Sequence, residues 1–190
     1  MDEFFIRSAR AKADPTAPCV YLQSSLVEGV GAQIVNDFKQ FDWAWAKSLS
    51  TPSAGLGWGA LTRNVLFVGS RGHTTPAHFD EQQNLLAQLS GRKRVLLWRP
   101  SDWTCLYPHP VLHPCDRQSS LDFKKGVDLT TRPRFQDAQA FEAILEPGEV
   151  LYIPQYWWHR VENLDDDCVT VNFWYIDVNA RNITVRFVCA

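Results

Sequence analysis

Three side chains carry the strongest chemical signal. His78 and Asp80 stand two apart in Thr75-Pro76-Ala77-His78-Phe79-Asp80, and His159 closes the later run Tyr156-Trp157-Trp158-His159. On an extended strand, residues i and i+2 project from one face, so an imidazole and a carboxylate at that spacing can share one ion. A distant histidine can complete the face. Two histidines and one carboxylate occupy half an octahedron and leave open positions, the donor set of non-haem Fe(II) oxygenases. A histidine by itself in a β protein is more often a satisfied polar residue, and His-x-Asp by itself is common. The combination is what is informative.

A fourth residue sharpens the reading. With Ser90-Gly91 as a two-residue hairpin loop, Gln88 opposes Lys93, and counting back by twos puts Leu86, Asn84, Gln82, Asp80 and His78 on the same face. Leu85, Ala87 and Leu89 fill the other parity, so this strand buries both faces. An inward lysine is costly unless an anion meets it, and a cosubstrate carboxylate is such an anion. A second hairpin, looped through Leu164 to Asp167, sets His159 opposite Asn172 and Trp157 opposite Trp174. In that register Asn172 is a neutral neighbour of the metal and Trp174 walls the pocket.

The elements that must position these residues are mostly strands. Short apolar runs bounded by turn residues span 64–68, 78–89, 93–98, 141–145, 150–153, 157–163 and 168–175. Glu146-Pro147-Gly148-Glu149 has the proline and glycine of a type II turn. Closely spaced strands with few helices predict a mainly β, antiparallel double sheet of the jelly-roll or cupin kind, with short flanking helices. Ile34, Val35, Phe38, Phe41 and Trp45 recur at helical spacing. Residues 1–19 read as a flexible lead-in, 20–178 as one domain and 179–190 as a strand-like tail. The connection from Ser101 to Gln139 is long for a compact domain, and Pro108, Pro110, Pro114 and Pro133 make it stiff without making it regular.

Composition narrows the class. The 190 residues suit one domain with a real core, and a 45% hydrophobic, 13% aromatic content argues against disorder. A net charge of −2 with no long basic run disfavours a nucleic-acid partner. No stretch has the length of a membrane span. The first residues carry acids where a signal peptide needs bases. Five cysteines, odd in number and without a Cys-x-x-Cys pair, favour a reducing compartment; the expectation is the cytoplasm, with the nucleus as a second location. Cys105, His109, His113 and Cys115 form a second set able to hold zinc, but the spacing is not that of a finger and prolines fix the backbone, so a surface loop is the favoured reading.

Several long blocks resemble a known family. These are Thr75 to Asn84, Cys105-Leu106-Tyr107-Pro108, His113 to Ser119, Leu151-Tyr152-Ile153-Pro154, Tyr156 to His159 and Val171 to Tyr175. From about Tyr21 to Tyr175 the chain resembles the factor-inhibiting-HIF group, the asparaginyl hydroxylases of hypoxia-inducible factor, within the JmjC 2-oxoglutarate oxygenases. The resemblance implies a double-stranded β-helix with Fe(II) on His78, Asp80 and His159, and with 2-oxoglutarate and dioxygen as cosubstrates. It implies that Lys93, Thr75 and Tyr21 hold the distal carboxylate of 2-oxoglutarate while Asn84 and Asn172 lie near its chelating end. It implies protein or peptide substrates such as hypoxia-inducible factor or ankyrin-repeat proteins, met by Gln23, Asp80, Gln82, Arg117, Gln118 and Trp174. Leu86 replaces a family phenylalanine. The chain stops at Ala190 without the family's helical dimerisation segment, so a homodimer by that route is not expected. Another JmjC reaction, including lysine demethylation, and an inactive cupin used as a binding module are the alternatives.

Overall fold

A computed structural model describes residues 2–14, 16, 18–26 and 58–177. The helical pattern read over Ile34 to Trp45 and the tail 179–190 lie outside these residues. Within them the chain runs α1 (Asp2–Ala13), β1 (Tyr21–Ser25), β2 (Trp58–Gly69), β3 (His78–Phe79), β4 (Gln83–Ser90), β5 (Lys93–Trp98), β6 (Phe141–Leu145), β7 (Val150–Ile153), β8 (Trp158–Asn163) and β9 (Cys168–Asp177). Part of the segment read as a lead-in is thus the helix α1, built from a run rich in alanine and arginine, both good helix formers.

The strands form two antiparallel sheets. One has five strands in the order β1-β2-β9-β4-β7, the other four in the order β3-β8-β5-β6. The three connections read as turns cross between sheets: β4 to β5 through Ser90-Gly91, β6 to β7 through Pro147-Gly148, and β8 to β9 through residues 164–167. Two expected hairpins are therefore corrected. Gln88 does not pair with Lys93, which lies opposite Leu145 and Asn163; His159 does not pair with Asn172, which lies opposite Leu86 and Val65. Glycine and aspartate supply the same backbone freedom to a turn within one sheet and to an arch between two, so turn chemistry could not separate them. Gly91 sits at φ 65°, and a Cβ there would come within 2.8 Å of the Cys168 sulfur. The Glu146 turn is as expected, with Gly148 at φ 96° and the Glu149 N–H donating to the Glu146 carbonyl at 3.1 Å.

Run 78–89 is also two strands rather than one. It leaves the four-stranded sheet after Phe79, bends through residues 80–82 and enters the five-stranded sheet at Gln83.

Side-chain parity along the strands then sorts the core into three layers. Between the sheets, Leu86 and Ile153 pack against Val95, Leu97, Leu145 and Trp157. Leu85, Val171, Phe173 and Tyr175 make an apolar cluster on the opposite parity of β4 and β9. Trp98 and Trp158, of the four-stranded sheet, pack with Ala77 and with Leu106 of the proline-rich connection. Leu106 is fully buried, and that anchor explains how a connection with only two 3-10 turns, Pro100–Asp102 and Pro133–Asp137, holds a defined path.

Candidate metal and cosubstrate site

Although β3 has only two residues, it fixes the first ligand. His78 lies opposite His159 in the β3–β8 ladder, which brings the ring centroids to 4.2 Å. At the bend that follows, the Asp80 carbonyl accepts from the Tyr156 N–H at 2.7 Å, and Asp80 Oδ2 comes to 3.8 Å from Nε2 of His159. The ligand atoms of His78, Asp80 and His159 all lie within 4.8 Å of one another.

Each imidazole is oriented by the carbonyl two residues before it. Nδ1 of His78 lies 2.8 Å from the Pro76 oxygen, and Nδ1 of His159 lies 3.0 Å from the Trp157 oxygen. A carbonyl can only accept, so Nδ1 carries the hydrogen and a neutral ring keeps its lone pair on Nε2. Burial of His159, helped by His78 nearby, holds its pKa well below the usual imidazole range, so that ring is neutral at neutral pH. Trp174 Nε1 donates to Asp80 Oδ2 at 2.9 Å and restrains the carboxylate. Two oriented imidazoles and one carboxylate are the donor set that a ferrous ion takes, so the residues fit the metal.

A cavity of about 250 Å³ runs from this triad between the sheets to Tyr21 and Lys93. Lys93 is 2% exposed and, among the described residues, makes no ion pair with a carboxylate; its charge meets the face of Phe67 at 5.9 Å. Burial pushes its pKa down to about 8. A buried, unpaired ammonium at a cavity wall is a receptor for an anion. Beside it, burial raises the Tyr21 pKa, so the phenol stays a neutral donor, and the Thr75 hydroxyl accepts from the Val161 N–H at 3.0 Å, which leaves its proton free to donate. Asn172 Nδ2 donates to Asn84 Oδ1 at 3.1 Å, pairing the two buried amides on the inner face of the five-stranded sheet.

The cavity thus gathers Tyr21, Gln23, Thr75, Asn84, Lys93, Asn172 and Trp174 with the three ligands. Gln82, Arg117 and Gln118 lie outside its lining: Gln82 donates to Thr62 Oγ1 at 2.8 Å, Arg117 lies 3.9 Å from Glu81 Oε2, and Gln118 forms an isolated bridge with His78. Sequence reasoning missed Arg63 and Phe67, which line the cavity from β2; their period-2 spacing with Val65 was the available signal. It also missed His73, whose ring stacks on Tyr21 at 3.7 Å between centroids with 3° between planes. Burial and the Lys93 charge depress the His73 pKa to about 4, so a neutral ring backs the phenol.

The cupin-like domain family matches residues 1–181, and the chain belongs to it. The chain is also similar to proteins named lysine-specific demethylase. The chain is 37% identical over 136 residues to HSPB1-associated protein 1 homolog of Danio rerio, covering 67% of this chain and 30% of that protein. It is 30% identical over 173 residues to lysine-specific demethylase JMJ30 of Arabidopsis thaliana, covering 91% of this chain and 37% of that one. The chain therefore spans about a third of the length of these relatives. Among solved structures, E. coli ycfD aligns with TM-score 0.47 and 17% identity, over 86% of this chain and 34% of that one.

Proposed function

We propose that this domain is an Fe(II)- and 2-oxoglutarate-dependent protein oxygenase, and that its reaction is hydroxylation of an asparagine β-carbon in an extended peptide. The observation that carries the reading is the pairing, in one cavity, of a His78, Asp80 and His159 ligand set with a buried lysine that has no carboxylate partner among the described residues. When bound, the iron and its cosubstrate supply the oxidising chemistry: 2-oxoglutarate and dioxygen give succinate and carbon dioxide while a C–H bond becomes C–OH.

The chain's own residues bind, orient and exclude. His78, Asp80 and His159 would hold the metal, while Lys93, Tyr21 and Thr75 would hold the distal carboxylate by one charge and two hydroxyl donors. Leu86, Ile153 and Val161 supply apolar wall between these two ends and limit water there. Gln118, whose backbone bridges to His78, and Arg117, whose carbonyl accepts from the Phe79 N–H, would meet a peptide amide at the mouth of the site. Hypoxia-inducible factor and ankyrin-repeat proteins are the substrate classes to try first.

A second reading is favoured by relatives that carry the name lysine-specific demethylase. The same ligand set serves N-methyl oxidation, so the target residue separates the two. Purified protein loaded with iron should turn over 2-oxoglutarate in the presence of an asparagine peptide, with a gain of one oxygen on that residue by mass spectrometry. Loss of a methyl group from a methyl-lysine peptide instead selects demethylation. Iron binding without cosubstrate binding, unchanged by Lys93→Ala, would leave only a binding module.

A further inference from the structure

Of the four soft or borderline ligands on the proline-rich connection, the structure brings three together. The ligand atoms of His109, His113 and Cys115 all lie within 4.8 Å of one another, and the two imidazoles stack at 4.3 Å with 6° between planes. Cys105 is not with them; it packs against the cluster of Trp98, Leu106 and Trp158. The Cys115 N–H donates to Nδ1 of His113 at 3.0 Å, so an ion would meet this ring either at Nε2, displacing its proton, or at Nδ1, in place of that hydrogen bond. Among the described residues no disulfide consumes Cys115.

We infer that His109, His113 and Cys115 form a second metal site, separate from the triad, that takes one zinc ion with a fourth position open to water or an outside ligand. Two imidazoles and a thiolate are a donor set zinc favours. Zinc bond lengths of roughly 2.0 to 2.3 Å require the three atoms to draw in by about an ångström, a small motion for half-exposed side chains. The residues between the ligands are not free to wander: Pro110 and Pro114 fix φ, and the loop is closed at its base by the Pro108–Ser119 bridge and by the His109 N–H donating to the Gln118 carbonyl at 2.9 Å.

The site has a structural consequence. From the same loop the Arg117 carbonyl accepts from the Phe79 N–H at 3.1 Å, and Gln118 bridges to His78. A cation held by His109, His113 and Cys115 would brace the segment that lies against β3. This inference does not depend on which reaction the triad supports.

The test uses Co(II), a spectroscopic stand-in for zinc, added to the full chain stripped of metal. The triad holds no sulfur, so a thiolate-to-cobalt charge-transfer band does not come from it, and Cys115→Ser separates the trio's band from that of any other cysteine. The band should appear in the wild type and in a His78→Ala, Asp80→Ala double variant, and one equivalent of zinc should displace it. It should vanish in Cys115→Ser, weaken in His109→Ala and His113→Ala, and persist in Cys105→Ser. Circular dichroism of each variant in chelator checks that the fold is intact. Absence of the band from the wild type, which needs no substitution, overturns the proposal; so does a band that survives Cys115→Ser or disappears with Cys105→Ser.

Discussion

The triad of His78, Asp80 and His159 and the trio of His109, His113 and Cys115 are both three-ligand clusters with atoms inside 4.8 Å, yet they are built by different means. In the triad, two ligands face each other across a strand ladder, both rings are turned by backbone carbonyls, and the carboxylate is restrained by a tryptophan. The trio hangs on one loop between prolines, with a single backbone hydrogen bond to one ring. His159 is 3% exposed, whereas His113 is exposed and its two partners are half-buried. Ladder register fixes ligand geometry before any ion arrives; a loop site relies more on the ion to complete its own order.

Breaking the triad gives the largest effect. His78→Ala or Asp80→Ala should take turnover of 2-oxoglutarate to background while the melting temperature changes little, because each removes a half-buried ligand rather than a core contact. A melt that collapses with the activity would show that these residues hold the fold instead. Next comes the anchor of the loop. Leu106→Ala empties a fully buried position against Trp98 and Trp158 and should cost about 2–5 kcal/mol in chemical denaturation. At temperatures where the variant stays folded, cobalt binding at the trio should suffer more than iron binding at the triad; equal losses would erase the distinction between ladder and loop.

Trp174→Phe keeps an aromatic wall but removes the donor to Asp80. Metal affinity or activity should fall roughly 10- to 100-fold, measured by iron titration and by turnover, and an unchanged value would mean the ladder alone sets the triad. The mildest test is pH. Free Lys93 titrates near 8, below the ordinary 10.5, and only its charged form attracts a carboxylate. Affinity for 2-oxoglutarate should therefore fall as pH rises above about 8, by about tenfold per unit, and Lys93→Ala should flatten that slope. Stability of the cosubstrate-free protein carries the opposite sign: the unfolded chain holds the extra proton between pH 8 and 10.5, so this group's contribution to stability rises through that window. Calorimetry of both quantities on one sample checks the pair of signs.

Strand positions were legible because apolar runs and turn residues punctuate the chain from Asn64 to Tyr175, and nearly every run became a strand. The inward direction of Lys93 was legible too, although the hairpin invoked for it does not exist. Parity survives when a turn becomes an arch, since residues 93, 95 and 97 still alternate with 94, 96 and 98. Which strand each pairs with was not legible, because pairing between distant segments is decided by the packing of both sheets at once. His73 against Tyr21, and Trp174 against Asp80, are contacts across 52 and 94 residues, and no local pattern announces them.

Residue types and spacings alone therefore determined the donor chemistry, the β-rich layering and the buried cation. The folded chain alone decided that the two histidines meet across a ladder, that a bend delivers the aspartate, and that Cys105 is withdrawn from the loop cluster. The physical reason is that period and composition are carried by neighbours along the chain, whereas coordination geometry depends on the register between strands that only a packed core can fix.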